Sequence, residues 1–195
     1  MKKILYPIFS FFALSFLNLI SSVGFSEPSL TCKKSACFEP SLKISEQILP
    51  LRNAALLEYL KFDFYTAALY APPGFNTPEQ ILNNVPKSLI LYYHRTVKKE
   101  WMIKASRDRI KKNPANHPSD LEGRLLQLDA AYRTVKKGDH YELRYEPGVG
   151  TSLILNGQLQ ATISGDDFQR AFFGIWLSDL PLNKNLRDQL INPKE

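Results

Sequence analysis

The two periods of this chain come in blocks, and their order is the strongest constraint on its fold. Strand-like runs with the two-residue alternation of a sheet come first, two segments of helical period follow, then more strand-like runs, then helices again. A regular strand-helix-strand alternation, the mark of a parallel sheet, does not appear. The order implies an α+β domain in which a mostly antiparallel sheet packs against a layer of helices. The first runs, SLKI and QILPL, flank SEQ and read as a hairpin. In YLKFDFYT, residues 59–66, a continuous strand would put Tyr59, Lys61, Asp63 and Tyr65 on one face and Leu60, Phe62, Phe64 and Thr66 on the other. The even face is then core, and the odd face is a solvated surface or the wall of a cleft. SLILYYHR, residues 88–95, is branched and aromatic enough to be a central strand. Near the C-terminus HYELRYEPG reads as a strand, and TSLILNGQLQATI as a hairpin closed by the tight-turn pair Asn156-Gly157.

The helical segments carry start signals. Thr77, Pro78 and Gln80 stand as cap, first helical residue and capping-box partner, so a short helix begins there and ends near Asn84. In VKKEWMIKASRDRIKK, Val97, Trp101 and Ala105 recur at helical spacing beside Met102. Ser119 and Glu122 form a capping-box pattern ahead of Leu121, Leu125, Leu128 and Tyr132. Ser164 and Asp167 precede the stripe Phe168, Phe172, Ile175 and Trp176, and LNKNLRDQLI makes a last short helix.

Of the 195 residues, 44% are hydrophobic and 23% charged, as in ordinary globular proteins. Lys2 and Lys3 precede the apolar run ILYPIFSFFALSFLNLI and then small and polar residues, which reads as a secretory signal over residues 1–26, with Glu27 as the new start. An uncleaved N-terminal membrane anchor is the alternative. The expected location is periplasmic or secreted. Losing Lys2 and Lys3 from a net charge of +6 leaves a mildly basic body at +4. In an oxidising compartment the two cysteines, Cys32 and Cys37, are expected to form a small disulfide loop within an N-terminal extension, residues 27–40, ahead of one domain over 41–195. Their spacing is not that of a redox dithiol, and the region offers too few ligands for a metal.

His94, His117 and His140 are scattered without metal-binding spacing, and no nucleophile elbow, phosphate loop or dinucleotide fingerprint is present. No cofactor and no catalytic residue is assigned. Asp166 and Asp167 are read as residues of a helix start. The helix near residue 100 is strongly basic, with Arg95, Lys98, Lys99, Lys104, Arg107, Arg109, Lys111 and Lys112 against Glu100 and Asp108. It is a solvated face or a surface for anionic lipid or an acidic ligand. Export makes nucleic acid a poor partner. Nine tyrosines and twelve phenylalanines, dense in 59–70 and 88–95, suit either core packing or a cavity for a mostly hydrophobic molecule.

Several well-spaced blocks over residues 38–191 resemble the chalcone isomerase-like family and its exported bacterial branch: LPLRNAALLEYLKFDFYTAALYAPP, LYYHRTV, VKKGDHYELRYEPGVGTSLILNGQ and ISGDDFQRAFFGIWLSDLPLNKNL. The resemblance implies the chalcone isomerase-like fold, a large antiparallel sheet packed on helices with a ligand cleft between them. Aligned on Tyr70, Leu57 stands where the plant enzymes place an arginine and Tyr65 where they place a threonine, while Lys98 and Ala105 take the positions of a tyrosine and an asparagine. These residues do not supply the plant enzymes' electrostatic stabilisation, so chalcone cyclisation is not expected. The non-catalytic branch binds fatty acids, commonly through an arginine and a tyrosine on the carboxylate. Leu57 removes that arginine, and Lys61 is the expected substitute. The expected ligand is thus a hydrophobic small molecule or fatty acid, with Tyr59, Lys61, Tyr65, Lys98 and Trp101 near it. The alternatives are an intramolecular lyase acting through Tyr65 or Lys98, and an envelope interaction protein whose cleft is closed.

Overall fold

The computed structural model of the chain describes residues 29–192, so the expected export signal lies outside the described residues. Seven strands form one sheet in sequence order, every neighbouring pair antiparallel: β3 (Ser41–Ile44), β4 (Gln47–Tyr59), β5 (Phe62–Tyr70), β6 (Lys87–Tyr93), β7 (His140–Glu146), β8 (Gly150–Leu155) and β9 (Gln158–Ile163). A separate hairpin, β1 (Thr31–Lys33) with β2 (Ala36–Phe38), pairs Cys32 with Cys37, and a disulfide joins them. The helices are α1 (Pro78–Leu82), α2 (Lys99–Lys112), α3 (Pro118–Ala131), α4 (Asp166–Leu177) and α5 (Lys184–Ile191). This is the α+β architecture that the order of periods requires.

The sheet separates two cores. Along β5 and β6, Tyr65, Ala67, Leu69, Leu89, Leu91 and Tyr93 join the helices in the main core, with Phe168, Phe172 and Leu177 of α4 against them. Ala54, Ala68 and Tyr70 turn the other way, toward Ala36 and Phe38 of the disulfide hairpin and Ile44 and Leu49 of β3–β4. The hairpin is therefore part of a core and not only a restraint on the chain end. Register shifts at Leu51/Asn53 and Leu57/Glu58 in the β4–β5 pair and at Leu153/Ile154 in β8–β9 mark bulges, which bend and twist a strand locally.

Several expectations change in the structure. The stretch 59–66 is not one strand: β4 runs to Tyr59, β5 begins at Phe62, and Leu60 and Lys61 form a two-residue turn with left-handed φ of 49° and 65°. That geometry normally calls for Asn or Gly, so the residue types conceal the turn. Leu60 and Phe62, expected in the core, are largely exposed. Val97 is not helical; it bridges Val135 through reciprocal backbone bonds of 2.9 and 3.0 Å, which holds it extended and delays α2 to Lys99. The buried stripe of α2 is consequently Met102, Ser106 and Ile110, and Trp101 is 72% exposed.

The capping box of Thr77 and Gln80 forms as the spacing predicts. That of Ser119 does not, because Pro118 already occupies the first turn and His117 is the cap residue. At α4 the cap is Gly165, with φ 108°, while Asp167 pairs with Arg124 of α3 and Asp166 takes the hydroxyl of Tyr145 at 2.6 Å. The basic face of α2 is partly neutralised too. Arg107 reaches Glu122 at 3.0 Å and Asp129 at 2.7 Å, both on α3, and Lys104 pairs with Asp108.

Candidate functional site

Helices α2 and α3 interrupt the sheet order between β6 and β7, and the Val97–Val135 bridge pins the two ends of that insertion together. The main core is left incompletely filled beneath them. A cavity of about 150 Å³ lies there, walled by Tyr65, Tyr93 and Leu143 of the sheet, Met102 of α2, Tyr132 at the end of α3 and Trp176 of α4. Among the described residues, none of its lining side chains carries a formal charge. β-strand alternation puts Tyr65, Tyr93, Tyr141 and Leu143 on the helix-facing side, and the 3.6-residue period of α4 brings Trp176 above them.

The polar tips in this cavity satisfy one another. Trp176 Nε1 donates to the Tyr65 hydroxyl at 2.9 Å, the Ser106 and Tyr132 hydroxyls share a bond of 2.8 Å, and the Tyr141 hydroxyl accepts from the Arg133 backbone N–H at 2.7 Å. Their rings meet edge-on, Tyr65 to Tyr93 at 5.8 Å, Tyr93 to Tyr141 at 6.4 Å and Tyr141 to Tyr132 at 6.0 Å, an arrangement favoured by ring quadrupoles. Burial pushes the Tyr65, Tyr93 and Tyr132 phenols well above their ordinary range. All three phenols are therefore protonated at physiological pH.

A groove of about 400 Å³ adjoins the cavity and shares Phe64, Val97 and Trp101 with it. Tyr59, Leu60 and Phe62 from the β4–β5 turn form one side of the groove, and Arg95 and Lys98 from the entry to α2 line it as well. The Arg95 guanidinium lies over the Phe62 ring, 5.0 Å from its centre. Neither Arg95 nor Lys98 has a carboxylate within salt-bridge distance among the described residues. The two spaces differ in character: the inner one is neutral and apolar, and the outer one is aromatic with unpaired cations.

Of the residues singled out by sequence, Tyr65 lines the inner cavity, Tyr59 and Lys98 line the groove, and Trp101 borders both. Lys61 lines neither. It sits at the exposed turn, where the break in strand alternation removes it from the face of Tyr65, so the shared strand face that made it the expected substitute cation does not exist. Leu57 pairs with Tyr65 across β4–β5 and is buried, which leaves the inner cavity without a cation at that position. Sequence reasoning did not single out Tyr93, Tyr132, Tyr141 or Trp176 as a set. The signal available was a recurrence of polar-tipped aromatics at positions whose periodicity demanded burial.

A second buried polar cluster lies at the opposite end of β6. Lys87 is fully buried, and its Nζ donates to the Asn83 carbonyl and to Gln169 Oε1, both at 3.0 Å, while lying 4.4 Å from the centre of the Tyr145 ring. Burial, with Arg170 adding to it, lowers its pKa from 10.5 to about 7, and Asp166 opposes the shift. Lys87 and Tyr93 are about 20 Å apart along the strand. This cluster fastens α1 and α4 to the sheet and takes no part in the cavity. Among the described residues no group of three or more His, Cys, Asp or Glu side chains is placed to hold a metal ion.

Comparison with known proteins places this geometry. Among solved structures, the chain is similar to an Arabidopsis thaliana fatty-acid binding protein, with a TM-score of 0.63 and 15% sequence identity over 84% of this chain and 96% of that one. At that identity the likeness is one of fold. No curated protein matches the sequence. Residues 33–192 match the sequence profile described as chalcone isomerase-like, and the chain therefore belongs to the chalcone isomerase-like family.

Proposed function

We propose that the protein binds an elongated, mostly apolar acid of fatty-acid type without transforming it, with the apolar tail in the inner cavity and the ionised end in the groove near Arg95 and Lys98. The observation that carries this reading is the junction of a neutral cavity with a groove bearing two unpaired cations. An ionised carboxylate buried among Tyr65, Tyr93 and Trp176 would lose its hydration without a counter-charge, a cost of several kcal/mol. At the mouth it keeps both water and cations. Size supports the same orientation, because 150 Å³ alone falls below the roughly 300–1,000 Å³ of ordinary ligand sites, and the adjoining groove makes up the difference.

That the ligand is left untransformed is part of the proposal, and the tyrosines support it. Proton transfer on an enone substrate asks for a group that changes protonation near neutral pH, whereas burial holds Tyr65, Tyr93 and Tyr132 protonated. Export through residues 1–26 belongs to the proposal, and the Cys32–Cys37 disulfide is the chemistry of an oxidising compartment.

The test compares palmitate with its methyl ester by calorimetry. The double variant Arg95→Gln/Lys98→Gln is expected to weaken palmitate binding by about fivefold or more and to leave the ester unchanged, as loss of exposed charge requires. Ala105→Trp, at an exposed helix position whose side chain lines the cavity, is expected to weaken both ligands. Equal loss of acid and ester in the double variant would show that Arg95 and Lys98 do not hold the carboxylate, and no uptake of either ligand by the unaltered protein would sink the binding function.

A further inference from the structure

Four large apolar side chains stand in solvent around the mouth of the groove. Tyr59, Leu60 and Phe62 are 63%, 74% and 59% exposed, and Trp101, from the first turn of α2, is 72% exposed. All four line the same groove, with Arg95 and Lys98 among them. Scattered exposed hydrophobics are ordinary, but a contiguous set of this kind marks a contact surface.

The backbone gives a second, independent observation. Leu60 occupies the left-handed region at φ 49°, followed by Lys61 at 65°. A leucine held there costs about 1–2 kcal/mol relative to glycine, and the turn presents its side chain to water without burying it in return. At the corresponding turn between β8 and β9, Asn156 and Gly157 meet the same geometry with residues that suit it. Local stability does not account for an apolar residue at the first of these turns.

From this placement we propose that the β4–β5 turn and the start of α2 dock the protein on an anionic lipid bilayer, with Leu60 and Phe62 entering the acyl boundary. Tyr59 and Trp101 have the amphipathic rings that settle at the headgroup level, and Lys61, Arg95, Lys98 and Lys99 supply cations there. Of the acidic neighbours in sequence, Asp63 is paired with Lys34 at 3.4 Å, which leaves Glu58 and Glu100 against those four cations. The charge complement fits a negative surface. This is not the contact expected from the sequence, which was the body of the basic helix; Lys104 and Arg107 there are engaged with carboxylates of α2 and α3.

The docking surface lies beside the cavity, since Phe64, Val97 and Trp101 line both spaces. A bilayer seated on it covers the mouth, so an acyl chain passes between membrane and cavity without crossing water. Transfer of this kind rests on the ligand-binding reading above, while docking itself does not.

The test uses the full chain and bilayer vesicles of phosphatidylcholine, with and without phosphatidylglycerol, some carrying bromine on the acyl chains. Trp101 and Trp176 are the only tryptophans, and Trp176 is buried, so bromine quenching removed by Trp101→Phe reports this surface and not insertion by another segment. Quenching is expected with anionic vesicles, weaker with neutral ones, and reduced by added salt. The double change Leu60→Asn/Phe62→Ser is expected to lower vesicle affinity on the order of tenfold. Absence of Trp101 quenching, full quenching in that double variant, or a concentration-dependent dimer that buries Trp101 would each overturn the proposal. Palmitate uptake measured without vesicles separates the two ideas. Uptake without docking leaves the binding function standing and removes the docking surface, and docking without uptake does the reverse.

Discussion

The buried lysine makes stability depend on pH in a direction opposite to that of the buried tyrosines. Lys87 has a pKa of about 7 in the folded protein against 10.5 when unfolded. Below pH 7 both states hold the proton and the folded state carries the whole cost of a buried cation; between pH 7 and 10.5 only the unfolded state holds it, so stability rises with pH. At about 1.4 kcal/mol for each pKa unit, the rise totals about 5 kcal/mol. The tyrosines act the other way, since their phenols are raised by burial and their contribution is lost only as pH climbs above the ordinary tyrosine value of 10.0.

Lys87→Met isolates the effect. It removes the buried cation, and it also strands Gln169 Oε1 without its donor, at a cost of about 1–3 kcal/mol. Near about pH 6 the first effect is the larger, so the variant is as stable as the unaltered protein or more so; near about pH 10.5 the first has all but vanished, the second remains, and the variant is less stable. Urea unfolding across that window, read as ΔG from the midpoint and slope, should show the two stability curves crossing. Parallel curves would refute the argument, because they would mean that Lys87 keeps its proton when folded or is not buried in solution.

Two further changes test other parts of the fold. Tyr65→Phe leaves Trp176 Nε1 without its acceptor in the buried cavity wall and should cost about 1–3 kcal/mol, seen as a lowered urea midpoint with unchanged slope; an unchanged midpoint would show that the bond is absent in solution. Reducing the Cys32–Cys37 bridge, or replacing both cysteines by serine, should cost about 2 kcal/mol for so short a loop, and a thermal transition indifferent to reductant would contradict the disulfide's role in the outer core.

Periodicity and turn chemistry made the architecture legible. The Asn156-Gly157 hairpin, the Thr77 capping box and the apolar face Leu121, Leu125 and Leu128 all read directly, because each is a local preference that the tertiary structure also uses. The candidate site was legible only in outline. Tyr65, Lys98 and Trp101 lie where the cavity and groove meet or beside it, but Lys61 was placed with them on the premise of a continuous strand. A Leu-Lys turn violates the residue preferences by which turns are recognised, so alternation carried the reading straight through it. The start of α2 was misplaced for a different reason: a single bridge to Val135, distant in sequence, sets the conformation of Val97. No pattern within the helix records that contact. The four-tyrosine wall is likewise nonlocal, with members from three strands and the end of a helix.

The meander also decides how the molecule must assemble. Every sheet pairing joins strands that are consecutive in the chain, and all but one of these are separated by short connections or by a single small helix. The exception is the seam between β6 and β7, which must close across residues 94–139. The chain is thus two local modules, β3–β6 and β7–β9, with one long loop to close between them, and the Val97–Val135 bridge shortens that loop by pinching it at its base. Closing the seam is the one long-range search in building the sheet, the kind of nonlocal pairing that slows folding. Interruption of the backbone at Asn113–Asn116, beyond the pinch, falls between the modules and leaves every strand pairing intact.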